Sequence, residues 1–328
     1  MKKKVLITGA SGFVGYHLIV EALEAGLDVF AAVRPSSDVS HLKNLDVTFT
    51  NLQYDSVDAL KANITTNNYD YIIHASGTTK AKNKKEYNLI NAEYSRNLAQ
   101  AASETKIEKF VFVSSLAALG PSLNVGTNIE DDTTPNPVTS YGESKLLAEQ
   151  YLRSIKNLPL LTFRPTAVYG PREKDIFILF KSINMGLEPY IGKFEQQFSF
   201  IYVKDLAAVL IASLQSDLVN KTYNVSDGVK YDRYALADYS KKVLNKKTFK
   251  FHLPVAAVGA IASLMEKMYA SSSKTPALNK EKMAELTAIN WACNINHLET
   301  DFAFLPKYNL ESGLAETLLW YKNNKWLS

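Results

Sequence analysis

The chain has 328 residues, of which 46% are hydrophobic and 21% charged, with a formal net charge of +4. This is the profile of an ordinary soluble globular protein with room for one large domain or two. Its single cysteine, Cys293, excludes an internal disulfide framework and fits a reducing, cytoplasmic compartment, and no apolar run reaches the ~18 residues of a membrane span.

Two lysine runs, Lys2–Lys4 and Lys80, Lys82, Lys84 and Lys85, read as solvated lysines rather than as a patch for an anionic substrate or lipid. No motif points to a metal or to nucleic acid. The opening residues mimic a signal peptide, but three glycines interrupt the apolar part, so a strand and turn is the better reading.

In the first half, short apolar strands alternate with amphipathic segments. Val5–Ile7 is a strand, Phe13–Ala25 a helix closed by Gly26, and Val29–Val33 the second strand. Val47–Phe49 and Tyr71–Ile73 follow, then a long helix Lys84–Ser103, the strand Phe110–Val113, a helix opening at Ser140 and the strand Leu160–Phe163. Such alternation predicts an α/β fold, a Rossmann-type doubly wound parallel sheet with right-handed crossovers. Beyond Pro171 a helix over 175–185 is expected. Phe200–Val203 and Tyr223–Val225 read as strands returning to the sheet, with a helix over 204–215 between them. The rest is mostly helical, from Tyr234–Leu244 to Glu311–Lys322. The predicted division is a dinucleotide-binding domain over 1–170, with a returning segment at about 200–225, and a smaller substrate lobe over 171–328.

Between the first strand and first helix lies Thr8-Gly9-Ala10-Ser11-Gly12-Phe13-Val14-Gly15. Glycines there permit a tight turn, close approach of a pyrophosphate and close helix-to-sheet contact, while free amides at the helix start bind phosphate. The second strand ends Val33-Arg34-Pro35-Ser36-Ser37, with no acid at its tip to take a ribose hydroxyl. Arg34 instead suits a 2′-phosphate, which favours NADP over NAD.

Tyr141 and Lys145 stand four apart in Thr139-Ser140-Tyr141-Gly142-Glu143-Ser144-Lys145, so both leave one helix face. Ser140 followed by Glu143 matches a capping box. The ammonium is expected to favour the phenolate and lower a pKa that starts near ~10.

With Val113-Ser114-Ser115 and Arg164-Pro165-Thr166-Ala167-Val168-Tyr169-Gly170-Pro171, these pieces make the chain resemble the extended short-chain dehydrogenase/reductases, or NAD-dependent epimerase/dehydratase family. The resemblance continues through Phe200–Asp205 and Tyr223–Val225. It implies that Tyr141 is the acid/base on the substrate oxygen. Ser115 would be a second donor to that oxygen, and Lys145 would hold the nicotinamide ribose. Gly9, Ser11, Gly12, Phe13, Val14, Gly15, Arg34, Leu52, Ala75, Ser76, Gly77, Asn91, Ser114 and Val168 take positions that line the cofactor, as Tyr141 and Lys145 also would. Thr78, Ser115 and Tyr141 are the candidate substrate contacts. Family members are often dimers through helices that here would be Lys84–Ser103 and Ser140–Ile155, which makes a homodimer an open expectation.

Two departures bear on the reaction. Nucleotide-sugar members often carry Asn where this chain has Ala167, and Arg where it has Phe198, behind Gln196 and Gln197. A diphosphate wants Arg or Lys forks, for which Arg172 and Lys193 are the candidate substitutes. The uncharged stretch from Leu253 to Met265, then Pro276-Ala277-Leu278, Trp291-Ala292-Cys293 and Leu305-Pro306, resembles the branch holding dihydroflavonol reductases and 3β-hydroxysteroid dehydrogenase-like proteins. The expected function is hydride transfer between a ketone and a secondary alcohol on an apolar or lipid-like molecule. The alternative is a nucleotide-sugar epimerase or dehydratase using tightly bound NAD. For the helix within 253–265, packing on its own domain or a second subunit is favoured over contact with a membrane surface.

Overall fold

The computed structural model describes residues 2–269, 276 and 278–327; Ala277, part of the C-terminal resemblance, lies outside them. The chain opens with β1 (Lys4–Thr8), α1 (Phe13–Glu24), β2 (Asp28–Ala32), β3 (Val47–Thr50), α2 (Val57–Asn67) and β4 (Tyr71–His74). Next come α3 (Lys84–Asn88), a π-type turn at Leu89–Glu93 and α4 (Tyr94–Ser103), which together form the expected long helix. Then follow β5 (Lys109–Val113), α5 (Ser140–Ser154) and β6 (Leu160–Pro165).

β7 (Ala167–Tyr169), α6 (Phe177–Asn184), β8 (Leu187–Ile191), β9 (Gln197–Phe198), β10 (Phe200–Tyr202), α7 (Val203–Ala212) and β11 (Lys221–Val225) lead into the C-terminal part. That part holds β12 (Tyr231–Asp232), α8 (Ala235–Leu244), β13 (Phe249–Leu253), α9 (Val255–Tyr269), α10 (Lys280–Thr287), β14 (Asn290–Trp291), α11 (Asn296–Phe302) and α12 (Leu310–Asn323).

A seven-stranded sheet runs in the order β11-β6-β5-β4-β1-β2-β3, and its pairings are all parallel. β4, β5 and β6 are buried along their whole length, as strands covered by helices on both faces must be. Alternate residues feed two cores. Val5, Ile7, Val111 and Phe163 pack with α1 and α7 on one face. Leu6, Ile72, Phe110 and Phe112 pack with α2, α4 and α5 on the other. Chain direction across the sheet reverses between β1 and β4, the switch point where such sheets open a crevice at their carboxyl ends.

One expected strand is placed differently. Only β11 rejoins the main sheet, while β10 pairs in parallel with β7 in a separate two-stranded ribbon. Phe200 and Tyr202 are buried with Tyr169, Phe180 and Leu314 in a third apolar cluster, so this run serves the second core. The C-terminal part is also less purely helical than expected, because β8, β9 and β12–β14 pair in short ribbons.

Candidate active site

The glycine turn lies at the switch point. Gly9 has φ +68°, and a Cβ there would stand 2.7 Å from the Ala75 carbonyl oxygen, so β1 and β4 close to a distance only glycine allows. At Gly15 a Cβ would fall 2.1 Å from the Gly9 carbonyl oxygen. Gly12 caps α1 without a side-chain bond, and the first turn of α1 carries no acid. The helix start therefore presents bare amides and its positive dipole end to the crevice.

His74 fastens this corner from below. Its Nδ1 lies 2.8 Å from Thr8 Oγ1 and its Nε2 2.8 Å from Ser95 Oγ, and the Ser76 amide donates to Thr8 Oγ1. Burial lowers the His74 pKa to about 3, so the ring is neutral. Arg34 is exposed at the end of β2 and, among the described residues, is in no ion pair. This uncapped helix start, the glycine cradle and a free guanidinium fit a dinucleotide.

Tyr141 and Lys145 lie on the first turns of α5. The helix begins at Ser140 as expected, but the cap is Thr139, whose hydroxyl accepts from the Gly142 amide at 3.0 Å. Ser140 donates instead to the Glu281 carboxylate of α10. The capping-box reading is thus corrected by one residue: tertiary contact recruits the Ser140 hydroxyl. Gly142 lies so close to the 3-10 turn Leu116–Ala118 that a Cβ would stand 2.3 Å from the Ala117 carbonyl oxygen. That contact brings Ser115 to the Tyr141 side of α5.

Burial raises the Tyr141 phenol to about 12; a hydrogen bond with Ser115 opposes the rise, while Glu285 and Tyr87 add to it. Lys145 is buried and donates to the Val113 carbonyl at 2.9 Å. Burial lowers its pKa to about 8, opposed by Glu149. The expectation that Lys145 depresses the Tyr141 pKa is therefore not met: desolvation dominates both groups and pushes each toward its neutral form. A Cβ on Gly77 would lie 3.4 Å from Lys145 Nζ, so the Ala75–Gly77 loop touches the lysine.

Other predicted residues are positioned differently. Ser114 is not turned to the crevice. It is buried and donates to Glu149 Oε1 at 2.5 Å. The Asn91 side chain accepts from the Thr78 amide and donates to the Thr78 carbonyl and Ser144 Oγ, so it ties the loop after β4 to α5 rather than reaching a ligand. The Thr78 hydroxyl donates to the Lys80 carbonyl, which leaves its role as a substrate contact unsupported. Leu52 is buried in the sheet core, leaving its backbone as the part that could line a cofactor. Val168 pairs with Ile201 and is half-buried.

Three features lay beyond the sequence reading. Glu149 lies one turn after Lys145 and pairs with Arg164 on β6, at 2.6 Å to Nη2 and 2.9 Å to Nε. Its spacing from Lys145 was the available signal. α10 reaches α5 through Glu281, which accepts from Ser140, and the Glu285 carboxylate acts on Tyr141; nothing local in the sequence marks this. Tyr87 contacts the Tyr141 ring edge-on at 6.4 Å between centroids.

Residues 5–226 match the model of the NAD dependent epimerase/dehydratase family. The chain belongs to this family. A UDP-glucose 4-epimerase of Vibrio cholerae is 24% identical over 330 residues, covering 97% of this chain and 95% of that one. A ceramide reductase of Caulobacter vibrioides is 26% identical over 328 residues, covering 98% and 96%. The crystal structure of a dTDP-glucose 4,6-dehydratase from Bacillus anthracis in complex with NAD superposes with a TM-score of 0.79 at 18% identity, covering 99% of this chain and 98% of that one. This member of the extended short-chain dehydrogenase/reductases is thus an NAD(P)-dependent enzyme. The relatives' names lean toward nucleotide-sugar chemistry, and none of these three names the dihydroflavonol reductase or 3β-hydroxysteroid dehydrogenase branch.

Proposed function

We propose that this family member reduces a ketone to a secondary alcohol, or runs the reverse oxidation, on an apolar or lipid-like molecule. The observation that carries the reading is the charge around Tyr141. The ionisable groups acting on it are the Tyr87 phenol and the Glu285 carboxylate, which is paired with Lys282 at 3.1 Å. A diphosphate there would have to compete with Glu285 for the Lys282 ammonium. The two candidate cations for gripping it are engaged elsewhere or lie elsewhere. Arg172 stacks over Tyr16 and Trp320 at 4.2 and 5.5 Å, and Lys193 is exposed on a loop where its charge bears on His252. The ceramide reductase relative supports the reading.

The bound nicotinamide supplies or accepts the hydride at the substrate carbon. The protein's part is at the oxygen. At neutral pH a phenol raised to about 12 holds its proton, so Tyr141 is a loaded acid for an oxygen that gains charge as the carbon takes hydride. Ser115, whose hydroxyl holds the Tyr141 pKa down against burial, would give that oxygen a second donor. Lys145, buried one turn along α5 and bonded to the Val113 carbonyl, stands where it would hold the nicotinamide ribose. Arg34 favours NADP(H) through its free guanidinium.

A second reading, nucleotide-sugar epimerase or dehydratase, is favoured by the epimerase and dehydratase relatives. The two differ in what happens to the cofactor. A reductase consumes external reduced nicotinamide in proportion to product. An epimerase regenerates its own and shows no net change. Offering apolar ketones and UDP- or dTDP-sugars to the purified protein, with nicotinamide absorbance and product followed together, separates them. Turnover of a nucleotide sugar without net cofactor change would refute the proposal.

A further inference from the structure

We propose that the face formed by β13 and α9 docks on an anionic lipid bilayer. α9 is uncharged from Val255 to Met265, yet it buries only one side. Val258 and Ala262 pack against Met283 of α10, with Ile191 and Leu278 at the margin. The opposite side carries Ala257, Ala260, Ile261, Leu264 and Met268, at the three- and four-residue spacing of one helical stripe, and all are exposed. Ile261, Leu264 and Met268 are 53%, 59% and 68% accessible, and Phe249 and Leu253 of β13 extend the patch at 70% and 39%. An exposed apolar stripe of this kind marks an interaction site, not an ordinary water-facing helix.

Charge complementarity selects the occupant. Beside the patch, at the start of β13, a hollow is lined by Lys241, Lys242, Lys246, Lys247 and Lys250, and Glu188 is its one carboxylate. Glu188 is fully buried and bonded to Lys241. Lys267 and Lys193 lie at the other margins and are exposed. Of the acids in this region, Asp238 pairs with Lys241 and Glu266 accepts the Lys280 amide, while Glu195 is exposed. An apolar stripe edged by ammonium groups matches the acyl and headgroup layers of an anionic membrane. A second copy of the chain would set this lysine edge against the same edge or against the apolar stripe, at a cost in either case.

This inference does not depend on the substrate reading, because binding is measured without turnover. It does explain why the face adjoins α10, whose Glu285 acts on Tyr141: an apolar substrate would reach the site from the lipid side.

The test is co-sedimentation of the full-length protein with vesicles of phosphatidylcholine containing about one-third phosphatidylglycerol, beside vesicles of phosphatidylcholine alone. Binding is expected to the anionic vesicles and to weaken with added salt. Ile261→Asp/Leu264→Asp should abolish it. Lys246→Ala/Lys247→Ala should lower partitioning by about fivefold for each lysine removed. Both variants alter exposed positions and should keep the wild-type melting temperature and far-ultraviolet dichroism. Failure of the wild-type protein to sediment with anionic vesicles would overturn the proposal, as would binding that survives both variants. A wild-type dimer that ignores vesicles and becomes monomeric on Ile261→Asp/Leu264→Asp would assign the face to a second copy instead.

Discussion

Glu149 offers the sharpest test of how the site is supported. Its carboxylate and the Arg164 guanidinium are 1% and 4% exposed and 2.6 Å apart, and Ser114 donates to the same carboxylate. In Glu149→Gln the shape is kept and the charge removed, leaving Arg164 a buried cation with no carboxylate partner and the neutral backbone carbonyl of Asp131 as its other acceptor. Breaking a buried pair from one side costs about 3–5 kcal/mol. With an unfolding entropy of about 2.1 cal/mol/K per residue, a chain of this length loses roughly 1.5 °C per kcal/mol, so the melting temperature should fall by roughly 4–7 °C. Calorimetry or dichroism against temperature reads this directly. Glu149→Leu/Arg164→Met should recover most of the loss, because it removes both charges from the interior. Glu149 is also the group that raises the Lys145 pKa, so in Glu149→Gln the lysine should lose its proton below pH 8. A shift under about 1 °C for Glu149→Gln, or a double variant worse than the single, would refute the buried-pair reasoning.

Tyr141→Phe should remove turnover while leaving cofactor affinity within about threefold, read by nicotinamide fluorescence; full activity would sink the assignment of Tyr141 as the acid. Arg34→Asp should lower NADP(H) affinity relative to NAD(H) by at least about tenfold, the effect of losing one charge-assisted contact. Acid should destabilise the protein early. Burial lowers His74 to about 3 and His17 to about 4, so between pH 6.5 and those values the unfolded chain binds protons that the folded chain does not. Stability is full above pH 6.5 and should fall below it, by up to about 1.4 kcal/mol per pH unit for each histidine. His74→Asn should flatten that slope in urea titrations.

The parallel-sheet half of the fold was legible because its signals are local. Gly9 and Gly15 stand where no Cβ fits, strands such as Phe110–Val113 are apolar throughout, and Tyr141 and Lys145 are fixed to one helix face by their spacing. The departures all come from contacts distant in sequence. Ser140 yields the cap to Thr139 because Glu281, 141 residues on, takes its hydroxyl. Ser114 turns inward to Glu149. β10 leaves the main sheet because Phe200 and Tyr202 complete a core with Leu310 and Leu314. The Tyr141 pKa was expected to fall through a neighbouring ammonium, whereas burial pushes it up. For α9, the apolar run was visible, but which side of it would be covered was not; the structure covers only the Val258 and Ala262 side.

The central claim is that this chain passes a hydride outward to an apolar ketone. Reduced NADP carrying deuterium at its transferable hydrogen, incubated with the purified protein and a panel of long-chain ketones, tests it most directly by mass spectrometry of the products. The account predicts one deuterium on the carbinol carbon for each cofactor oxidised, lost in Tyr141→Phe. A label that never leaves the cofactor pool while UDP- or dTDP-sugars are converted without net oxidation would contradict it.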